Sequence, residues 1–504
     1  MAAPADATPE TSLPHIVPAP VELTPRPGTT FTLDADTAVH THPGSPEALE
    51  VGEYLAGILR PSTGYPLPVA QGESDRGVVL SLSGADPVVG AEGYRLDVTE
   101  DAVTIRATTA AGLFAGVQTF RQLLPAAIEA ADEQPGPWTA PGVTVLDHPR
   151  YPHRGAMLDV ARHFFPPAEV KRFIDLIAGY KINHLHLHLT DDQGWRLEIK
   201  SRPELTARGS LTQVGGGEGG FYTQEEYRDL VAHAASRHIT VIPEIDLPGH
   251  TNAALVAYPE LNADGVAKEP YTGIEVGFSS VAIGSDATYE FIDDVLGELA
   301  ALTPGPYLHI GGDEALKTPE DEYVAFIRRL LPIVAKHGKT ALGWHEYLKA
   351  EPAPDVLAQW WGTDPKAPEL VAAAERGNKV VLSPGNRSYL DMKYDEHFAL
   401  GLKWAGYVEV RDAYDWDPGA YVEGLPADAV LGVEAPLWTE TVERREHIDR
   451  LVFPRLPAIA ELGWSPRTTH DWESFRGRLA AQAPRWKVQG VDFHPSPQIA
   501  WDEV

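Results

Sequence analysis

Strand-like and helix-like segments alternate through most of this chain. They predict an α/β protein, a C-terminal (β/α)8 TIM barrel preceded by a smaller N-terminal α+β domain. Three observations carry that prediction: eight short apolar strand candidates follow residue 150, most are separated by segments with helical spacing, and their ends collect acids, an arginine, a histidine and several tryptophans. Strand alternating with helix implies a parallel sheet, and a barrel of this type gathers its chemistry at the carboxyl ends of its strands. The expected limits are a disordered or flexible terminus over 1–16, the α+β domain over 17–148 and the barrel over 149–504.

In the first domain, Thr30–Val39, Gly77–Leu82, Tyr94–Val98 and Ala102–Ala107 have strand character, the last two joined by a hairpin turn at Thr99-Glu100-Asp101. Ser45–Leu59 and Thr109–Leu124 carry apolar residues at helical spacing, with Thr109 placed to cap the second. The Pro- and acid-rich stretch 131–141 and Asp147-His148-Pro149-Arg150 bound this domain, which has no obvious cluster of chemical groups.

The barrel strand candidates are Arg154–Val160, Ile182–Leu189, Ile239–Ile245, Tyr307–Ile310, Thr340–Trp344, Val356–Trp361, Lys379–Leu382 and Val430–Ala435. Helices are expected over Pro167–Tyr180, Thr223–Arg237, Thr288–Leu302, Glu320–Lys336 and Pro368–Arg376. Following the strands in order come Arg162-His163, Asp191-Asp192, Asp246 with His250, Asp313-Glu314, Trp344-His345-Glu346, Trp360-Trp361, Tyr389 with Asp391, and Trp438 with Glu440. Flat aromatic faces suit sugar rings and charged groups suit hydroxyls, so this rim reads as the lining of a carbohydrate site.

Composition narrows the partners. The 504 residues carry 72 acids against 41 bases, a formal charge of −31, which argues against nucleic acid or an anionic membrane. No 18-residue apolar run is present. Without cysteine there is no disulfide, thiolate metal site or cysteine nucleophile. Met1–Thr11 has neither a basic patch nor an apolar core and is not a signal peptide as it stands. Oligomeric state is not legible.

The densest chemical motif is His309-Ile310-Gly311-Gly312-Asp313-Glu314. Neighbours in a regular strand point to opposite faces, so Asp313 and Glu314 can share a pocket only if the chain leaves strand geometry. Gly311 and Gly312 allow that turn. Two carboxylates held together have their pKa values pushed apart, which suits one to donate a proton while the other stays charged.

With LDVARHFF (158–165), HLHLTDDQGWR (186–196), PEIDLPGH (243–250), HIGGDE (309–314), the Trp360-Trp361 pair, YLDMKY (389–394) and APLWTE (435–440) in this order, the chain resembles bacterial β-N-acetylhexosaminidases of glycoside hydrolase family 20. The resemblance implies an exo-acting, retaining hydrolase of terminal β-linked GlcNAc or GalNAc, with a small-molecule carbohydrate as partner and no cofactor. It implies that the substrate's own acetamido oxygen attacks the anomeric carbon and forms an oxazolinium intermediate. Glu314 would act as acid and base, Asp313 would steady the acetamide nitrogen, and Tyr389 would bond the acetamido oxygen. Trp344, Trp361 and Trp438 would wall in the methyl group, and Arg162, Asp391 and Glu440 would bind sugar hydroxyls. Asp191 and His250 would form a relay to Glu314, and Trp404, on an insertion, would also line the site. Secretion and a role in chitin degradation are expected from that activity.

Two other readings compete. His184, His186 and His188 alternate along one strand and could chelate a divalent ion in a metal-dependent hydrolase, but they extend over about 13 Å, too far for one ion to hold all three. A non-catalytic sugar-binding barrel is the other, against which the intact Asp313-Glu314 pair weighs. The run 215–220 is glycine-rich but lacks the Lys-Ser/Thr of a phosphate loop and reads as a flexible loop.

Overall fold

A computed structural model describes residues 15–501. Of the expected flexible terminus, 1–14 lie outside the described residues, and Ile16 is buried. The chain forms two compact units.

The first unit holds the described residues up to Arg150 together with Thr468–Val491 and the described residues from Ile499 onwards. Its seven-stranded sheet runs in the order Glu22–Leu33, Trp138–Asp147, Tyr94–Val98, Ala102–Ala107, Gly77–Ser81, Val39–Thr41, Val69–Gln71. The hairpin is present, with Val98 opposite Val103. Helices Pro46–Thr63 and Ala110–Leu123 pack on each other and on the sheet, capped by Ser45 and Thr109. The sequence reading of one strand over Thr30–Val39 is corrected to two, because Thr37 folds back on Asp34 (Oγ1–Oδ1 2.9 Å) and turns the chain. Trp138–Asp147, read only as a boundary, is a strand antiparallel to Glu22–Leu33. Residues 468–491, assigned to the barrel by the sequence reading, lie in this unit, where Arg121 and Arg485 share the buried carboxylate of Glu129.

The second unit, Tyr151–Arg467 with Asp492–Gln498, is a closed barrel of eight parallel strands. These are His153–Asp159, His184–His188, Thr240–Glu244, Tyr307–His309, Thr340–Trp344, Leu357–Trp360, Lys379–Leu382 and Val430–Leu437. Each falls within two residues of its expected start and end. The five expected helices are also present, at Pro167–Ala178, Gln224–Ala235, Asp286–Leu302, Glu320–Lys336 and Pro368–Glu375. Thr223 and Glu226 close a capping box on the second of these, which fixes the start of the helix leading into the third strand.

Barrel interiors of this type are ordinarily filled by branched apolar side chains. Here strand register sets Asp159 beside His188, His188 beside Glu244 and Glu244 beside His309. A charged layer therefore closes the barrel just beneath the rim. Among the described residues no helix is long and apolar enough to cross a membrane.

Candidate active site

The rim is assembled from the ends of the strands. Asp159 closes the first strand and organises the loop beyond it. Its Oδ1 accepts the N–H groups of Ala161 (2.8 Å) and Arg162 (3.1 Å), and its Oδ2 accepts from Arg162 Nη1 (3.2 Å) and the Thr439 N–H (3.1 Å). The loops after the first and eighth strands are thereby tied together, and the Arg162 guanidinium is buried pointing inward. It meets Asp191 Oδ2 at 3.0 Å and lies 4.9 Å over the Trp438 ring.

Asp191 collects two further partners: His188 Nε2 at 2.8 Å and His250 Nδ1 at 3.1 Å. Burial alone would raise its pKa, but Arg162, His250 and His188 hold it well below the usual carboxylate range. The same logic acts in reverse on His250, where Asp191 and Asp313 outweigh burial and hold the imidazole well above its ordinary value. The other ring nitrogen, Nε2, lies 3.3 Å from Glu314 Oε2 and 3.6 Å from Asp313 Oδ2.

The turn that brings these two acids together agrees with the glycine reading. Gly311 and Gly312 adopt φ of +65° and +95°, and Glu314 itself sits at +46°. A Cβ on Gly311 would stand 1.8 Å from Asp246 Oδ1, the atom that accepts the Gly312 N–H at 3.0 Å. Glycine at 311 is thus required for both angle and space. The turn leaves Asp313 nearly enclosed, with 11% of its side chain exposed, and Glu314 more open at 32%. Burial pushes Asp313 up to about 7, with Glu346, Glu314 and Glu244 adding to the rise and His250 opposing it.

Aromatic rings form a continuous wall facing these acids. Trp344 and Trp438 lie 5.8 Å apart, Trp438 and Tyr389 6.3 Å, Tyr389 and Trp404 5.5 Å, and Trp404 and Trp361 5.5 Å. Trp344 is fully buried and anchored through its indole N–H to Glu244, whereas Trp404 is 49% exposed at the lip. Trp361 donates its N–H to Glu346 at 3.1 Å. Trp360, its neighbour in the sequence pair, points into the core instead, as strand alternation requires.

Asp391 and Glu440 complete the rim. Burial drives Asp391 well above its ordinary value, and Glu440 adds to it; Glu440 is raised by burial and held back by Arg162. Asp313 Oδ1, both oxygens of Asp391 and Arg162 Nε are buried without a hydrogen-bond partner in the protein. Unpaired buried polar atoms each cost about 1–3 kcal/mol, and this set offers a donor and three acceptors to a polar ligand. The structure brings Arg162, Asp191, His250, Asp313 and Glu314 into one run of contacts and Trp344, Trp438, Tyr389, Trp404 and Trp361 into one run of rings, with Asp391 and Glu440 close enough to influence each other.

Residues the sequence reading left out of the site are Asp246, which braces the Gly312 turn, Glu346 behind Trp361, and His188 with Glu244 beneath. Their signal was position at strand ends, which does not separate a brace from a ligand. Glu346 is pushed up to about 7 by burial, with Glu314 adding to it. For the metal alternative, ligand atoms of His186, Glu244 and His309 lie within 4.8 Å of one another, as do those of His250, Asp313 and Glu314. In the first group the distances are already those of direct hydrogen bonds, 2.9 Å from Glu244 to each imidazole, so a cation would have to displace them.

Residues 151–467 match the catalytic domain of glycosyl hydrolase family 20 and residues 13–148 its domain 2. The chain belongs to glycosyl hydrolase family 20. It is 44% identical over 488 residues to a beta-N-acetylhexosaminidase of Cellulomonas fimi, covering 96% of this chain and 97% of that one. The family 20 beta-N-acetylhexosaminidase of Streptomyces coelicolor A3(2) superposes with a TM-score of 0.94 at 55% identity, covering 97% and 99% of the two chains. A mutant Streptomyces plicatus beta-hexosaminidase in complex with product (GlcNAc) gives 0.95 at 56% identity, covering 97% and 98%. As a family 20 member, the protein is a glycoside hydrolase.

This geometry sets two measurable outcomes. Gly311→Ala should destabilise the fold by about 2 kcal/mol or more and abolish measurable activity, read by thermal melting and initial rates. Asp313, charged above about pH 4 when unfolded, stays protonated in the fold up to about 7. The fold thus binds more protons than the unfolded chain between those values, and Asp313 costs stability increasingly as pH rises through them. Asp313→Asn should therefore raise Tm at pH 8 by a few degrees more than at pH 4; an equal shift at both would contradict the raised value.

Proposed function

We propose that this family 20 enzyme removes single terminal β-linked N-acetylhexosamine residues with retention, using the substrate's acetamide as nucleophile. The observation that carries the reading is the placement of Asp313 and Glu314 on one strained turn facing the Trp344–Trp438–Tyr389–Trp404–Trp361 wall. An acetamido methyl fits against the indoles, which limits the acetamide to orientations where its oxygen faces the anomeric carbon. Tyr389 donates its hydroxyl to that oxygen. Asp313, enclosed and with Oδ1 unpaired, accepts the acetamide N–H and stabilises the positive charge that grows on nitrogen as the oxazolinium ring closes.

Glu314, the more exposed of the pair, protonates the departing oxygen and later deprotonates the water that opens the ring. His250 stands against Glu314 with Asp191 behind it, a pair suited to adjusting the acid as its charge changes between the two steps. Arg162, Asp391 and Glu440 bind hydroxyls of the terminal sugar, where charged hydrogen bonds discriminate strongly because the pocket is desolvated. That closed end favours release of one residue at a time. Chitin fragments as a natural source and action outside the cell belong to the same proposal and rest on the activity class.

The discriminating test compares β-GlcNAc with the corresponding plain β-glucoside. The 2-hydroxy sugar should be essentially inert and a thiazoline mimic of the intermediate should inhibit tightly. Comparable turnover of the glucoside, or a sugar covalently trapped on Asp313, would defeat the proposal. Glu314→Gln should lose most with poor leaving groups and least with activated aryl groups. Asp313→Asn should lose about two to three decades with good and poor leaving groups alike. Swapped patterns would reverse the two assignments.

A further inference from the structure

The reaction as proposed leaves several buried carboxylates of the barrel without a task, and Glu244 is the one that reaches the site from two sides. Glu244 ends the third barrel strand, is wholly buried, and has His188 and His309 as its in-register neighbours. Its Oε1 accepts the Trp344 indole N–H at 2.9 Å and lies 2.9 Å from His309 Nδ1. Its Oε2 lies 2.9 Å from His186 Nε2 and pairs with His188 Nδ1. The same carboxylate therefore touches two working parts of the site. One end anchors a wall of the acetamido pocket. The other holds the imidazole whose far nitrogen meets Asp191, which continues through His250 to Glu314. The His188 ring also stands edge-on to Trp438 at 4.8 Å, a second contact with the wall.

Stability gives little reason for this arrangement, since a buried ion pair often contributes no more than a well-packed apolar replacement. We infer that Glu244 is a positioning residue for the hydrolysis, fixing the pocket wall through Trp344 and the relay to Glu314 through His188 with one carboxylate. The inference rests on the substrate-assisted reading of the reaction. Electrostatics are consistent with it: His186 is raised to about 9 and His188 well above its ordinary value, each by buried carboxylates that overcome desolvation. Glu244 is held well below the usual range by His309, His188 and His186 against its burial.

The barrel supplies its own control. Glu434 is equally buried and equally engaged, but its bonds go to His186 Nδ1 (2.8 Å), His153 Nε2 (3.1 Å) and Gln359 Nε2 (2.8 Å). If a buried carboxylate in this layer serves only the fold, Glu244→Gln and Glu434→Gln should behave alike.

The experiment measures Tm, kcat and KM on an aryl β-GlcNAc glycoside for Glu244→Gln, Glu434→Gln, Asp191→Asn and the Glu244→Gln/Asp191→Asn double variant. Glutamine at 244 keeps an oxygen for Trp344 but loses the charge that holds His188, so its effect should pass through Asp191. Expected is an about 10- to 100-fold loss of kcat/KM in Glu244→Gln, mainly in kcat, shrinking to under about threefold when Asp191 is already Asn. Glu434→Gln should lower Tm and leave kcat/KM within about twofold of wild type. A kinetically silent Glu244→Gln, a loss matched by Glu434→Gln, or a loss that multiplies in full with Asp191→Asn would overturn the inference. Should Glu244→Gln fail to fold, Glu244→Asp replaces it: the charge stays, but the shorter side chain cannot reach Trp344 and His188 together. Its kcat should fall similarly, and an unchanged kcat would overturn the inference. Wild-type turnover of the 2-hydroxy β-glucoside would instead overturn the functional reading, a result independent of every Glu244 variant.

Discussion

Buried carboxylates can remain charged only where cations or hydrogen-bond donors face them, and that constraint organises this barrel mouth. Asp191 is the clearest case. It is enclosed, and three cationic side chains from three different strand ends converge on it: Arg162, His188 and His250. Removing one partner of such a set strands the remaining charges, typically at a cost of about 3–5 kcal/mol. The loops carrying those residues are therefore locked to one another by electrostatics as firmly as by packing. Asp159 does the same with the Arg162 guanidinium and three backbone N–H groups, those of Ala161, Arg162 and Thr439, and so closes the gap between the first and last strands.

Other acids of the rim occupy the opposite regime. Asp313 is buried and Glu346 half-buried near other carboxylates with only partial compensation, and both rise to about 7. Asp246 is raised well above its ordinary value too, by burial first and by Asp313 next. One site thus contains carboxylates held low by cations and carboxylates pushed high by enclosure, a few ångströms apart. Separated proton affinities of this kind let a single pocket hold a charge at one atom and a proton at another. The strained turn at Gly311–Glu314 is what sets the acids at this boundary, and Asp246 is what holds the turn.

Much of this was legible in the sequence, for reasons that can be named. The eight strands were readable because a barrel strand buries both faces and is written as a short apolar run bounded by polar residues. The Gly-Gly-Asp-Glu turn was readable because two adjacent acids can share a pocket only if the strand breaks, and glycine is the residue that permits it. Elsewhere local pattern misled. Thr30–Val39 reads as one strand, yet the Asp34–Thr37 turn divides it, and Trp138–Asp147 was obscured by the prolines and acids before it. The helices of 468–491 joined the first unit because Arg485 finds a buried acid there, a long-range contact that no local spacing records.

The sequence by itself determined the fold class, the order of the strand ends and the inventory of side chains at the rim, because these depend on periodicity and on neighbours along the chain. What only the tertiary structure decided is which of those side chains touch. His188 and Glu244 are 56 residues apart, and Glu244 and Trp344 are 100. Parallel register, not sequence proximity, sets the first pair side by side. Curvature of the sheet then brings Trp344, two strands along, across to the same carboxylate. The difference between a histidine that packs, one that holds a proton and one that carries charge to an acid lies in those contacts, since burial and facing charges fix its protonation and neither is written in the residue's own surroundings along the chain.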